Sequence, residues 1–424
     1  MSRKAIVGAL LTCMCGALGC AARLPDEVVW ARQFGMTGRD EARGVCADAT
    51  GMYVAGFVEG TLPGQTSPGG ADAFVRKYDH EGVEVWTRQF GGEGPDSATG
   101  CCVGASGIYV VGHTQRTGPG VRLSGETQAF VRKYGADGAL RWAREFGNVA
   151  VPYLGSVAVC SDRTGVYLAG AVSGALPGQT SAGRDDAFVR KYDADGNEEW
   201  TRQFGGPQGE RAAAVCVGSG GVYVGGSTSG RLPGQPKGGN GDGFVAKYDA
   251  AGTQLWIHQF GGKHLDMVNA VWADDTGVYV AGDTVGALPG ETQIGGSWDA
   301  FLKKYDPDGG ELWTRQFGTG HPMGARALAA APDGVLVAGA TGGSFWRRRT
   351  TGQWDVYVRH YAANGAAMRT TELSDGKVAA ALAIAASEGA VYVAGRAHGS
   401  LPGFKNAGGT DAFVAKVIVP EVGW

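Results

Sequence analysis

The sequence predicts an all-β protein, a seven-bladed β-propeller of four-stranded antiparallel blades, and three observations carry that prediction. The first is composition. Of 424 residues 75 are glycine, yet 43% are hydrophobic, with 11 Trp, 14 Tyr and 15 Phe. No Gly-X-Y period runs through the chain, which excludes collagen, and so much apolar surface excludes a disordered linker. The second is an internal repeat. VYVAG or a near copy centres on Tyr53, Tyr109, Tyr167, Tyr223, Tyr279, Leu336 and Tyr392, at spacings of 56 to 58 residues. The third is the chain ends. The repeats open on a lone fourth strand, VVWARQFG, and close after a third strand, DAFVAKVIV. Joining them completes a seventh blade and removes an open edge.

The elements follow in chain order. Residues 1–19 read as a signal peptide: MSRKA is basic, and the uncharged apolar run from Ala5 to Gly19 suits secretion but is short for a membrane span. Ala17, Leu18 and Gly19 before Cys20 resemble a bacterial lipobox, in which the cysteine is lipidated and becomes the mature N-terminus. Ala17 departs from the leucine more usual there. Ala17 and Gly19 also satisfy the small-x-small rule of soluble secretion, so an ordinary signal stays open. Ala21, in place of aspartate, resembles an outer-membrane address. The expected organisation is a tether over 20–27, one propeller over 28–419 and a tail over 420–424. The expected setting is an exported, monomeric outer-membrane lipoprotein, with a secreted protein as the alternative.

Within a unit, a small apolar run (Ala42 to Asp48) precedes MYVAGFV (Met52 to Val58). A long LPGQT loop leads to AFVRKYD (Ala73 to Asp79), and a glycine turn to VEVWTRQFG (Val83 to Gly91). Short β-branched and aromatic runs between glycine turns read as hairpin-linked strands. The small first strand suits the crowded axis. Trp86, Arg88 and Phe90 alternate onto one face of the fourth strand, where the wedge between blades is wide. Arg32, Arg88, Arg144, Arg202 and Arg315 recur there, and each is expected to stack on the aromatics and reach a carboxylate at the rim. Cys46, Cys102, Cys160 and Cys216 are equivalent positions, replaced by Trp272, Ala329 and Ala385, so they read as packing residues too far apart for disulfides. Cys101 is the spare sulfur.

These units resemble the SBBP beta-propeller repeat of bacterial secreted and surface proteins. The carrying motifs are GGxGxDxAxG (Gly91 to Gly100), GVYVAG (Gly277 to Gly282), GGxDAFVxKYDxxG (Gly295 to Gly309, with one extra residue) and W-x-R-Q-F-G, over Trp30 to Val419. The resemblance implies the fold and an exported setting, and no reaction. The sixth unit departs most, with Met368 for the tryptophan and Leu336 for the tyrosine.

A net charge of −3 gives no basic excess for nucleic acid. Connections from strand two to three and from strand four to the next blade share one face and vary most, so that face is the expected contact surface. Its most individual loop carries Trp346, Arg347, Arg348, Arg349 and Trp354. It reads either as a site for an anionic peptide, glycan or lipid head group or as a drifted solvated loop. His113, His264, His321 and His398 fall in the same face's connections, and their spacing places them on no metal motif, but His264 and His321 are expected to join the basic loop in binding the ligand. Asp72, Asp186, Asp242, Asp299, Asp355 and Asp411 open third strands and read as loop-fixing Asx-turns. No GxSxG, HExxH, P-loop or full EF-hand occurs, so no catalytic, cofactor or metal residue is assigned. The expectation is a non-enzymatic propeller that binds a protein or glycan on its loop face. The alternative is an exported enzyme, since YDADGNEEW resembles the tryptophan-docking repeat of quinone-dependent dehydrogenases.

Overall fold

The computed structural model describes residues 27–115, 127–147, 157–218, 220–295, 297–345, 355–373, 379–387, 389–401 and 403–419. Within them lie seven four-stranded antiparallel sheets arranged as a ring, a seven-bladed β-propeller. Blade one comprises Glu41–Asp48, Gly51–Glu59, Ala71–Tyr78 and Glu84–Phe90, paired in that order. The later blades repeat this plan. In blade seven, Ala379–Ser387, Ala390–Ala397 and Asp411–Val417 receive Val28–Phe34 as the outer strand. Trp30 faces Lys416 and Phe34 faces Ala412 across that seam. The first strands of blades seven and one also pack together, so the ring closes through the two ends of the chain.

The burial explains the composition. Blades are covered on both faces, so the second strand of blade one is buried from Gly51 to Val58 and reads as a continuous apolar run. The fourth strand is an edge, and Val85 is exposed there. At the first strand the row of Cys46, Cys102, Cys160, Cys216, Trp272, Ala329 and Ala385 faces the second-strand row from Tyr53 to Tyr392. The described cysteines are free thiols.

Neighbouring blades are latched at their outer strands. The indole of Trp86 donates to the Ala136 carbonyl of the next blade at 3.0 Å. Beside it, Arg88 Nε donates to Gly138 O at 2.9 Å, with the guanidinium 5.6 Å from the Trp86 ring. Trp30 with Arg32, Trp142 with Arg144, Trp200 with Arg202 and Trp313 with Arg315 repeat the pair. The stacking agrees with expectation, but the carboxylate does not. Each arginine reaches a backbone carbonyl, because a tight turn presents its unpaired C=O within reach of the fork. The receiving glycine is required twice over. Gly138 has φ +74°, and a Cβ there would stand 2.8 Å from the Trp86 ring.

This latch also accounts for Met368, which is 55% exposed. The tryptophan of each blade docks on the turn between strands three and four of the next. Blade seven has no such turn, because its third and fourth strands come from opposite ends of the chain. A tryptophan in blade six would have nothing to dock on.

Candidate functional site: the axial mouth

Of the residues expected to bind on the loop face, the structure describes His264 and His321. Trp346, Arg347, Arg348, Arg349 and Trp354 lie outside the described residues. The root of their loop is held where Ser344 Oγ donates to Glu372 at 2.8 Å and Phe345 packs edge-on to Tyr357. His264 and His321 are both exposed, beside Gly286 and Gly343 of two different blades. His398 shares a 3.0 Å hydrogen bond with Thr410. His113 lies within the strand Gly107–Gln115, inside an element and not a connection. Among the described residues no group of three or more His, Cys, Asp or Glu is placed to hold a metal ion. The recurrent aspartates do fix loops. Asp186 accepts from Ala182 N at 2.9 Å and Gln203 Nε2 at 2.7 Å, and Asp242 and Asp411 follow the same pattern. These bonds reach back to upstream N–H groups, so the geometry differs from an Asx-turn.

What the structure does bring together is a set of arginines on the axis. The inner strands surround a cavity of about 480 Å³ whose lining includes Arg39, Arg43, Arg211, Arg326 and Arg396. It lies along the start of the first strands and the end of the second, and so opens on the variable-loop face. Deeper, Val45, Val159, Val215, Val271 and Leu328 make its wall apolar.

Two alternate positions of the first strand build the mouth, and they differ from blade to blade. One row carries Glu41, Ser97, Arg211, Met267, Gly324 and Ala380; the other carries Arg43, Thr99, Ala213, Asn269, Arg326 and Leu382. Between them Ala42, Ala98, Ala212, Val268, Ala325 and Ala381 are small and apolar, and the blade-three equivalent, Ser156, lies outside the described residues. Opposite the first row, the second strand adds Asp283 across from Met267 and Arg396 across from Ala380. Polar and charged variation at these two alternate positions is the signal that sequence reasoning missed.

Glu41 is the hub. Arg39 Nη2 and Arg396 Nη1 each meet its Oε1 at 2.7 Å, and Arg43 Nε meets its Oε2 at 2.9 Å. Burial pushes this carboxyl up, but the guanidinium groups of Arg43, Arg396 and Arg39 outweigh it and hold the pKa at about 2. Across the mouth Arg326 pairs with Asp283 at 2.7 Å. Arg211 has no carboxylate beside it among the described residues, and burial alone pushes its pKa down. The Nε of Arg396 is buried and unpartnered. Five guanidinium groups thus stand against two carboxylates, a surplus of three positive charges on one mouth. Such an arrangement suits planar anions such as carboxylate, sulfate or phosphate, and offers no oxygen-rich nest for a cation.

No family model matches the chain. The regulatory protein FlaEY of Caulobacter vibrioides is 33% identical over 178 residues, which cover 38% of this chain and 18% of that protein. The chain therefore spans under a fifth of that relative's length. Among solved structures, the polysaccharide lyase Uly1 gives a TM-score of 0.50 at 10% identity, covering 89% of this chain and 90% of that one. Extracellular domains 1–2 of Drosophila Semaphorin 1b also give 0.50, at 8% identity, covering 93% and 87%. At such identities the likeness is one of fold alone.

Proposed function

We propose that this protein is a binding propeller that takes the anionic group of a protein or glycan ligand into its axial mouth. The surplus of three positive charges over an apolar-walled cavity is the observation that carries this reading. Binding is favoured over catalysis by the chemistry of the set. Guanidinium groups stay protonated and serve neither as general acid nor as base, and both carboxylates of the mouth are already held by arginine. His113, paired across the strands with Ser97, and His398, whose pKa is pushed down first by burial and then by the charge of Arg396, border the mouth. In the same reading the chain belongs with SBBP-type exported proteins and is tethered to a membrane by lipid on Cys20. The lipobox-like segment supports the tether, and the variable loops around the mouth extend the contact surface. The relative named as a regulatory protein supports a role in regulation, proposed for the shared stretch only.

The test is a titration by calorimetry of the wild type and of Arg211→Ala and Arg396→Ala. The titrants are a uronic-acid oligosaccharide, a Glu-rich peptide and a neutral oligosaccharide. An anionic titrant is expected to bind, weakening roughly tenfold in each variant and with added salt. Equal binding of all three titrants, or variants that bind like the wild type, removes the axial site. For the tether, Cys20→Ser is expected to lose acyl mass and leave the membrane fraction; a variant that stays membrane-bound rejects it.

A further inference from the structure

Cys46 and Cys101 lie on the first strands of blades one and two, one position out of step. Equivalent cysteines are held apart by a blade width, but this offset pair meets across the seam, with the two sulfurs 3.2 Å apart. The backbones are close there as well. A Cβ on Gly44 would stand 2.8 Å from the Cys101 amide nitrogen. Cys101 Sγ also sits 3.7 Å from the carbonyl of Tyr53, which is the strand partner of Cys46. Cys102, the next residue, turns away and places its sulfur 3.5 Å from Ser161 Oγ of blade three. The two thiols of the pair differ in access. Cys46 is buried, whereas Cys101 is partly exposed and lines the axial cavity.

We propose that Cys46 and Cys101 form a dithiol that oxidises to a disulfide, stapling blade one to blade two through the wall of the axial mouth. The oxidant is a small-molecule disulfide that enters by the cavity. The Cys101 thiolate attacks one of its sulfurs, forming a mixed disulfide and expelling one thiolate, which takes up the proton Cys101 lost. Cys46 then gives up its proton, attacks the Cys101 sulfur and expels the second thiolate, which takes up that proton. Two protein thiols and one disulfide become one protein disulfide and two small thiols. Cys101 makes the first attack because it is the partly exposed residue of the pair and lines the cavity, while burial pushes the Cys46 thiol far above its ordinary range. The same seam carries the 3.2 Å bond from Arg43 to Ser97, so the staple fixes one wall of the mouth. The inference stands apart from the anion-binding reading, since it needs only the two sulfurs and a path to one of them.

The experiment treats the full chain with oxidised glutathione, alkylates it, and maps tryptic peptides by mass spectrometry without reduction. Peptide 44–76 is expected to be joined to peptide 89–116 with the loss of two hydrogens, and dithiothreitol should separate them. Because the second peptide holds both Cys101 and Cys102, fragmentation between those residues locates the link in the wild type itself. Cys102→Ser should keep the link and Cys101→Ser should abolish it. A link mapped to Cys102, one that survives in Cys101→Ser, or wild-type peptides alkylated at all three cysteines after oxidation would overturn the proposal.

Discussion

The outer latch and the axial mouth use the same residue for opposite ends. At the rim, arginine recurs at one position in five blades, lies over its own tryptophan and donates to a turn of the next blade. At the axis, arginine changes position from blade to blade and gathers with others around a hub carboxylate or stands unpaired. The rim arginine donates from Nε and Nη1 to carbonyl oxygens and lies over a ring face. The axial set has more charge than partners. Repetition therefore marks a contact that every junction needs, and departure within a constant frame marks a surface able to meet something else. Met368 sharpens the rule from the other side. It departs because the junction it serves lacks a turn, so a break in the repeat reports ligand chemistry only where the architecture is otherwise intact.

Three perturbations separate the two regions. The largest effect is expected at the rim. Trp142→Ala removes an indole that packs on Tyr109 and Tyr192 and donates to Ala194 O. It should cost about 3 kcal/mol in urea unfolding while leaving anion affinity unchanged. A loss of affinity in the folded variant would tie the mouth to the latch and break the comparison. Next is the hub. Glu41→Gln leaves Arg39, Arg43 and Arg396 without their shared carboxylate, which should lower stability by roughly 2 kcal/mol. It should also tighten binding of an anionic titrant several-fold. Weaker binding would mean that Glu41 positions the arginines more than it neutralises them.

The smallest effect concerns pH and two neighbours with opposite behaviour. Burial raises the Asp40 pKa to about 6, opposed by hydrogen bonds from the Met36 and Glu59 amides and reinforced by the charges of Asp411 and Glu59. Folding thus favours the protonated form. Its contribution is full below about 3.8 and is lost as pH rises through about 6. Glu41 works the other way: its contribution is present above about 4.5 and is lost only as pH falls through about 2. The melting temperature should therefore decline by a few degrees from pH 5 to 7 in the wild type, and less so in Asp40→Asn. Equal slopes would discount the buried charge at Asp40.

Much of the frame was legible from residues alone. The strand pattern around Tyr53 and the fourth strand Glu84–Phe90 appear in the structure within a residue or two of their expected bounds. Closure by Val28–Phe34 follows the complementary ends. The candidate site was less legible. Attention to the sixth unit's basic loop followed the most conspicuous irregularity, whereas the axial irregularities are single residues inside strands that look uniform. The acceptor of the rim arginines was also missed, because a backbone carbonyl has no letter in a sequence.

The sequence by itself determined the number of blades, their strand order and the manner of closure, since every unit must bury the same faces against the next and self-similarity records that demand. Only the tertiary structure decided which unlike residues meet. Glu41 and Arg396 are 355 positions apart and touch because the ring closes between blades seven and one. Cys46 meets Cys101 and not its equivalent because adjoining first strands face each other out of step. Such pairs depend on where the axis and the seams fall in space, and a repeat period carries no coordinate for either.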